Sequence, residues 1–140
     1  MPYRKAGIRP YRAEDEAVLF GLARMALGDT PAWRDERTLD VLSADTVFVA
    51  EIEGTPAGFV AIEPAQEAVR IDELFVAPEH EDEGLERQLV EYAEGFAIAC
   101  RSRSLQVVVE GDDDAAVAFF RSYGFAPADA GVLELTLPQT

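Results

Sequence analysis

Apolar positions along this chain follow two periods, and the switches between them lay out its elements. From Gly84 to Cys100 they fall at Leu85, Leu89, Ala93, Phe96 and Cys100, spacings of four, four, three and four that trace one face of a helix. Just before it, Val69 to Val76 (VRIDELFV) is β-branched and largely apolar, and Pro78 ends the run. The pattern predicts strand, loop and helix over 69–100, with Gly84 the single glycine of the loop.

Upstream, Gly7 to Arg12 reads as a short strand ended by Pro10. A helix then opens on Ala13-Glu14-Asp15-Glu16, with Val18, Leu19, Leu22, Met25 and Ala26 along one side. Thr30 caps a second helix with Pro31 at its first position and Trp33, Leu39 and Leu42 as apolar anchors. Thr46–Glu53 and Pro56–Glu63 are β-rich runs joined around Glu53-Gly54-Thr55, a hairpin signal. With 69–76 they predict three consecutive strands in the middle of a sheet.

Downstream, Leu105 to Val109 is apolar enough for a strand buried on both faces, parallel to 69–76 because a helix supplies the crossover. Gly111-Asp112-Asp113-Asp114 opens a helix bearing Ala116, Val117, Phe119 and Phe120 that stops at Tyr123-Gly124, and the aspartates read as its N-cap. The last strand, Val132 to Leu137, alternates leucines with Glu134 and Thr136. These elements make one α/β domain over residues 1–140 with a mixed sheet.

Composition sets the first limits on function. The chain has 140 residues, 49% of them hydrophobic, which suits one domain with its own core. No apolar run is long enough to span a membrane and the first ten residues lack a signal-peptide core, so a soluble, cytoplasmic protein is expected. Cys100, the one cysteine, lies on the helix stripe and is expected in the core; His80, the one histidine, is expected in a surface loop, and the two cannot build a zinc site. Twenty-seven acidic against twelve basic residues give a net charge of −15, which argues against nucleic acid and anionic membrane as partners. The acidity fits solubility, adaptation to strong salt, or a cationic partner.

A helix entered from a strand-end loop is a natural anion site, because its first N–H groups are unpaired and carry partial positive charge. Here Glu79, Glu81, Asp82, Glu83 and Glu86 surround Gly84, so an arriving phosphate meets five carboxylates.

The order strand, helix, helix, three strands, helix, strand, helix, strand, with IRPYRAEDE near the start, LFVAPEHEDEGLERQLVEYAE in the middle and AAVAFFRSYGF toward the end, resembles the GNAT superfamily of acetyl-CoA-dependent N-acetyltransferases. The resemblance covers nearly the whole chain and implies a central splayed pair of parallel strands with acetyl-CoA as cofactor. In that family the backbone matching Leu74, Phe75 and Val76 holds the pantetheine arm and the acetyl carbonyl. The next loop, commonly Arg/Gln-x-x-Gly-x-Gly/Ala, wraps the pyrophosphate: glycines let amides approach closely and the arginine neutralises charge. By position Glu81 replaces that arginine, Asp82 the first glycine and Glu86 the last, and Gly84 alone matches. A carboxylate about 6 Å from a phosphate repels it by roughly 0.7 kcal/mol in water and nearer 3 at an effective dielectric of 20. Arg87 is placed to offset part of this.

Two further positions depart from the family. Phe120 stands where a tyrosine often protonates the leaving thiolate, and Tyr123, three residues on, is expected to point elsewhere. Asp113 stands where an asparagine is frequent. For the general base, Asp72 and Glu73 are expected on opposite faces of their strand; Glu73 is the first candidate and Glu110, at the end of the next strand, the second. The resemblance implies acetyl transfer to an amine, a cationic one if the surface charge selects it, and carries the expectation of a homodimer. The substituted loop supports a second reading, a catalytically inactive binding or regulatory protein with an acidic contact surface.

Overall fold

The computed structural model of the chain describes residues 6–27, 32–44, 46–64, 67–109 and 113–139. Among these residues seven strands form one sheet: β1 (Gly7–Pro10), β2 (Thr46–Ile52), β3 (Thr55–Pro64), β4 (Ala68–Val76), β5 (Ser104–Val108), β6 (Ala126–Asp129) and β7 (Val132–Thr136), in spatial order β1-β2-β3-β4-β5-β7-β6. Among the described residues four α-helices cover it: α1 (Glu16–Leu27), α2 (Ala32–Ala44), α3 (Leu85–Ala99) and α4 (Asp114–Tyr123). Among the described residues no helix is long and apolar enough to cross a membrane.

Two apolar layers sandwich the sheet. On one face Leu19, Leu22 and Ala23 of α1 and Val41 and Leu42 of α2 pack on Val49, Phe59 and Ala61. On the other, Leu85, Leu89, Val90, Ala93 and Ala97 of α3 and Phe120 of α4 pack on Val60, Ile62, Val69, Ile71 and Leu105. The β2–β3 hairpin forms as predicted. Glu53 and Gly54 both take positive φ, 52° and 80°, the two-residue turn whose twist matches that of the strands it joins.

Several expectations need correction. Val18, Met25 and Leu39 are exposed, because α1 buries a stripe through Leu19, Leu22 and Ala23 and α2 one through Thr38, Val41 and Leu42. Cys100 is exposed rather than in the core. It caps α3 beyond its last inward-facing residue, Ala97, where Arg101 turns left-handed and the Ser102 N–H closes on the Ala97 carbonyl at 3.0 Å. Val108 is also exposed, at 59%, so β5 is not buried on both faces at its C-terminal end. The 126–129 strand was absent from the predicted order; all four of its residues are exposed, so it carries no apolar signal. The Thr30 cap, Pro31 and the Gly111-Asp112 part of the α4 entry lie outside the described residues, but Asp113 is the N-cap of α4 and accepts the Ala116 N–H at 3.1 Å.

Candidate active site

The parallel pairing of β4 with β5 runs only from Ala68↔Ser104 to Ile71↔Val107, while β4 continues to Val76. Beyond Ile71 the strands part. The N–H and C=O groups along that edge of β4 therefore face an opening instead of a neighbouring strand.

A bulge sits where the splay begins. Across the β3–β4 pair Ala61 opposes Glu73 and Ile62 opposes Ile71, so Asp72 is an extra residue on β4. The bulge resets the side-chain alternation. Ile71, Leu74 and Val76 pack toward α3, whereas Phe75 packs on Phe59 toward α1 and α2, and Glu73 shares that side with Ala61. Asp72 is held by Arg70, which also reaches Glu63 on the same side. Asp72 and Glu73 therefore address one side of the sheet, not opposite faces as strict alternation predicts.

A cleft of about 850 Å³ opens at the splay. Leu74, Phe75 and Val76 line it with Val107 and Val109 across the gap; Glu81, Glu86, Asp113, Phe119 and Phe120 line it toward α3 and α4; Arg37, Arg70, Asp72 and Glu73 line it toward α2. The structure thus gathers Glu73, Leu74, Phe75, Val76, Glu81, Glu86, Asp113 and Phe120 around one space. Asp82 and Gly84 are not among the lining residues: both have positive φ, 64° and 81°, and Gly84 is the N-cap residue of α3. Glu110 lies outside the described residues.

Among the described residues, five carboxylates against two guanidinium groups give the lining a negative balance. Arg87 is not part of that lining: its guanidinium stacks on the Tyr123 ring, 4.9 Å from the centroid. Tyr123 is turned away from the cleft, as its helical position predicts. Its hydroxyl donates to Glu94 Oε1 at 2.5 Å, and burial, with that carboxylate second, pushes the phenol well above its usual range. Phe120 is buried against Phe119 and Phe125, ring centroids 5.0 and 5.2 Å away.

Glu73 is buried, with Oε1 3.7 Å from Arg37 Nε of α2. His80 lies at the end of a single 3₁₀ turn, Pro78–His80, its Nδ1 2.8 Å from Glu83 Oε1, and is not part of the lining. Sequence reasoning missed Arg37 and Arg70 as cleft residues. Arg70 had a readable signal, two positions before Asp72 on a strand; Arg37 had none, because nothing in α2 marks which residue overhangs β4.

Comparison with known proteins agrees with this geometry. A sequence model of the acetyltransferase (GNAT) family matches residues 12–125. An uncharacterized N-acetyltransferase of Methanocaldococcus jannaschii is 30% identical over 88 residues, 58% of this chain and 39% of that protein, so the chain spans well under half the length of this curated relative. A GNAT-family structure from Desulfovibrio desulfuricans superposes with a TM-score of 0.84 at 14% identity, covering 96% of this chain and 100% of the other. The PaiA N-acetyltransferase of Thermoplasma acidophilum, solved in complex with coenzyme A, gives 0.79 at 17% identity, covering 95% and 99%. With the family model matching residues 12–125 and the splayed parallel pair in place, the chain belongs to the GNAT acetyltransferase family.

Proposed function

We propose that this protein transfers an acetyl group from a pantetheine thioester to an amine, and that it holds acetyl-CoA weakly at moderate ionic strength. The open edge of β4 from Asp72 to Val76 carries the reading: an extended chain of amides and a thioester can lie there and pair with backbone groups that β5 leaves exposed. The apolar wall of Val107, Val109 and Phe119 suits such an arm. The nucleotide end of acetyl-CoA fits less well, because Glu81 and Glu86 line the cleft where its diphosphate would meet the start of α3.

In this reading the thioester supplies the electrophilic carbonyl. Backbone N–H groups of β4 donate to its oxygen as negative charge builds there. Glu73 takes the proton the amine gives up as the C–N bond forms and the C–S bond breaks. Phe120 has no proton to give, so the departing thiolate takes one from water.

The test compares acetyl-CoA with S-acetyl-N-acetylcysteamine, a thioester that keeps the acyl end and lacks the diphosphate, using an amine panel. Both are expected to be consumed, with the short donor losing far less than its missing contacts would cost an ordinary member of the family. The second reading, a non-catalytic binding protein, is favoured by Phe120 and the two glutamates, and consumption of neither thioester would decide for it.

A further inference from the structure

We infer that the acceptor carries a carboxylate alongside its amine, and that Arg37 and Arg70 receive that carboxylate. The inference rests on the transfer reading above and gives its acceptor a chemical class.

The cleft is acidic toward α3 and α4, and among the described residues two guanidinium groups line it on the α2 side, Arg37 against Glu73 and Arg70 against the adjacent Asp72. Neither is used up by its protein partners. Arg70 gives Nε to Asp72 at 3.0 Å and Nη2 to Glu63 at 3.2 Å, leaving Nη1, and 44% of its side-chain surface is exposed. Arg37 meets Glu73 at 3.7 Å, a charge contact longer than a hydrogen bond, and keeps 47% of its surface. Guanidinium forks match carboxylates in two-point geometry, and a fork steered by a neighbouring acid is already oriented.

Sign and place then select the ligand. A purely anionic acceptor is repelled by a chain of net charge −15. A purely cationic one suits Asp72 and Glu73 but leaves the outward donors of Arg37 and Arg70, Nη1 of Arg70 among them, without a ligand acceptor. An amine that also bears a carboxylate has no net charge to oppose its approach and finds both partners on one side of the splay: its nitrogen at Glu73, its carboxylate at Arg37 and Arg70. Free amino acids and peptide C-termini with a nearby amine share this chemistry.

Calorimetric titration of the full chain reads the carboxylate without any thioester. The ligands are N-acetylglycine, N-acetyl-β-alanine and N-acetyl-4-aminobutyrate, each against its primary amide, so that three amine-to-carboxylate spacings are covered. At least one acid is expected to bind tenfold or more tightly than its amide. Arg37→Gln and Arg70→Gln should each bring that ratio below threefold, Arg37→Lys should restore part of it, and Arg12→Gln, outside the cleft, should keep it. Indistinguishable binding of acid and amide in all three wild-type pairs, including no binding, overturns the inference whatever the variants do. The two readings fail separately: a carboxylate preference without thioester consumption keeps the carboxylate site at Arg37 and Arg70 but overturns the transfer and with it the ligand's role as acceptor, and consumption without preference overturns the inference alone. A tripeptide offered against its C-terminal amide distinguishes a peptide source from a free amino acid.

Discussion

Arg9 grips Asp15 through two parallel hydrogen bonds, Nη1 to Oδ2 and Nη2 to Oδ1, both 2.8 Å. Asp15 also accepts the Arg12 N–H at 2.8 Å, and Arg9 extends Nε to Glu51 on β2 at 2.8 Å, so one buried carboxylate ties β1 and the entry to α1 onto the sheet. Asp15→Asn keeps the shape and removes the charge, leaving the guanidinium with half of its fork. Arg9 keeps its bond to Glu51, so the loss is that of a charged hydrogen bond, about 1.5–3 kcal/mol, and urea unfolding at pH 7 should show a loss of that order.

The same pair sets an acid limb. The hydrogen bonds from Arg9 hold the Asp15 carboxyl below its usual range, against the opposing effect of burial. A depressed folded-state pKa means the stabilisation is complete above the unfolded value, about 3.9, and fades as pH falls through the lower folded value. The stability gap between wild type and Asp15→Asn should be constant from pH 5 to 7 and shrink below about pH 4. A gap that widens on acidification would show that the carboxyl is not stabilised in its ionised form.

Gly58 opposes Val76 at the end of β4 where the cleft lies, and an added Cβ would stand 2.8 Å from the Phe75 carbonyl oxygen and 3.3 Å from Val76 Cα. Both are backbone atoms of the strand that lines the cleft and cannot swing aside. Gly58→Ala should cost about 1–3 kcal/mol in urea unfolding and lower thioester turnover disproportionately by displacing residues 75–76. Gly95→Ala, whose Cβ meets nothing within 4 Å, is the matched control.

The two aromatic residues near the end of α4 should respond in opposite ways. Tyr123→Phe removes the hydrogen bond to Glu94 outside the cleft, so stability should fall by about 1 kcal/mol with turnover within twofold of wild type. Phe120→Tyr brings a phenol to the cleft wall, and a positioned general acid is typically worth about 10²–10⁴ in rate. Turnover of acetyl-CoA by Phe120→Tyr should rise at least tenfold. Unchanged turnover, with the variant folded by circular dichroism, would show that the leaving group departs from another direction.

The fold was legible wherever burial is one-sided and local. The 3.6 period of α3, the alternation of β7 and the Glu53-Gly54 turn each carry their own signal, and their elements appear within a residue or two of the predicted bounds. What sequence could not give depends on register and on what lies opposite. The extra residue at Asp72 exists only relative to β3, and it alone moves Asp72 to the side of Glu73. Arg37 enters the cleft because of how α2 lies over β4. Cys100 and Val108 fit apolar patterns but fall where their elements run out of cover, at the end of α3 and at the mouth of the splay. The family resemblance supplies a list of positions, of which Glu81 and Glu86 line the cleft, but it supplies neither Arg37 nor Arg70.

The acidic loop yields the sharpest contrast with an ordinary anion site. Anion binding normally weakens as salt rises; a diphosphate opposed by Glu81 and Glu86 should instead bind more tightly, because the Debye length shortens from about 10 Å at 0.1 M to about 3 Å at 1 M and screens the repulsion. Thermal stability should barely move with millimolar acetyl-CoA at 0.1 M KCl and should rise with it at 2 M, since a ligand that binds only the folded state must raise the melting temperature. Glu81→Arg with Asp82→Gly and Glu86→Gly should increase affinity at 0.1 M by tenfold or more and reverse the sign of the salt dependence. Asp82→Gly alone relieves a left-handed backbone, φ 64°, that favours glycine, and should stabilise the fold by about 0.5 kcal/mol with a smaller gain in affinity. An affinity that stays flat from low to high salt, and is untouched by the triple change, would mean that the start of α3 never meets the diphosphate.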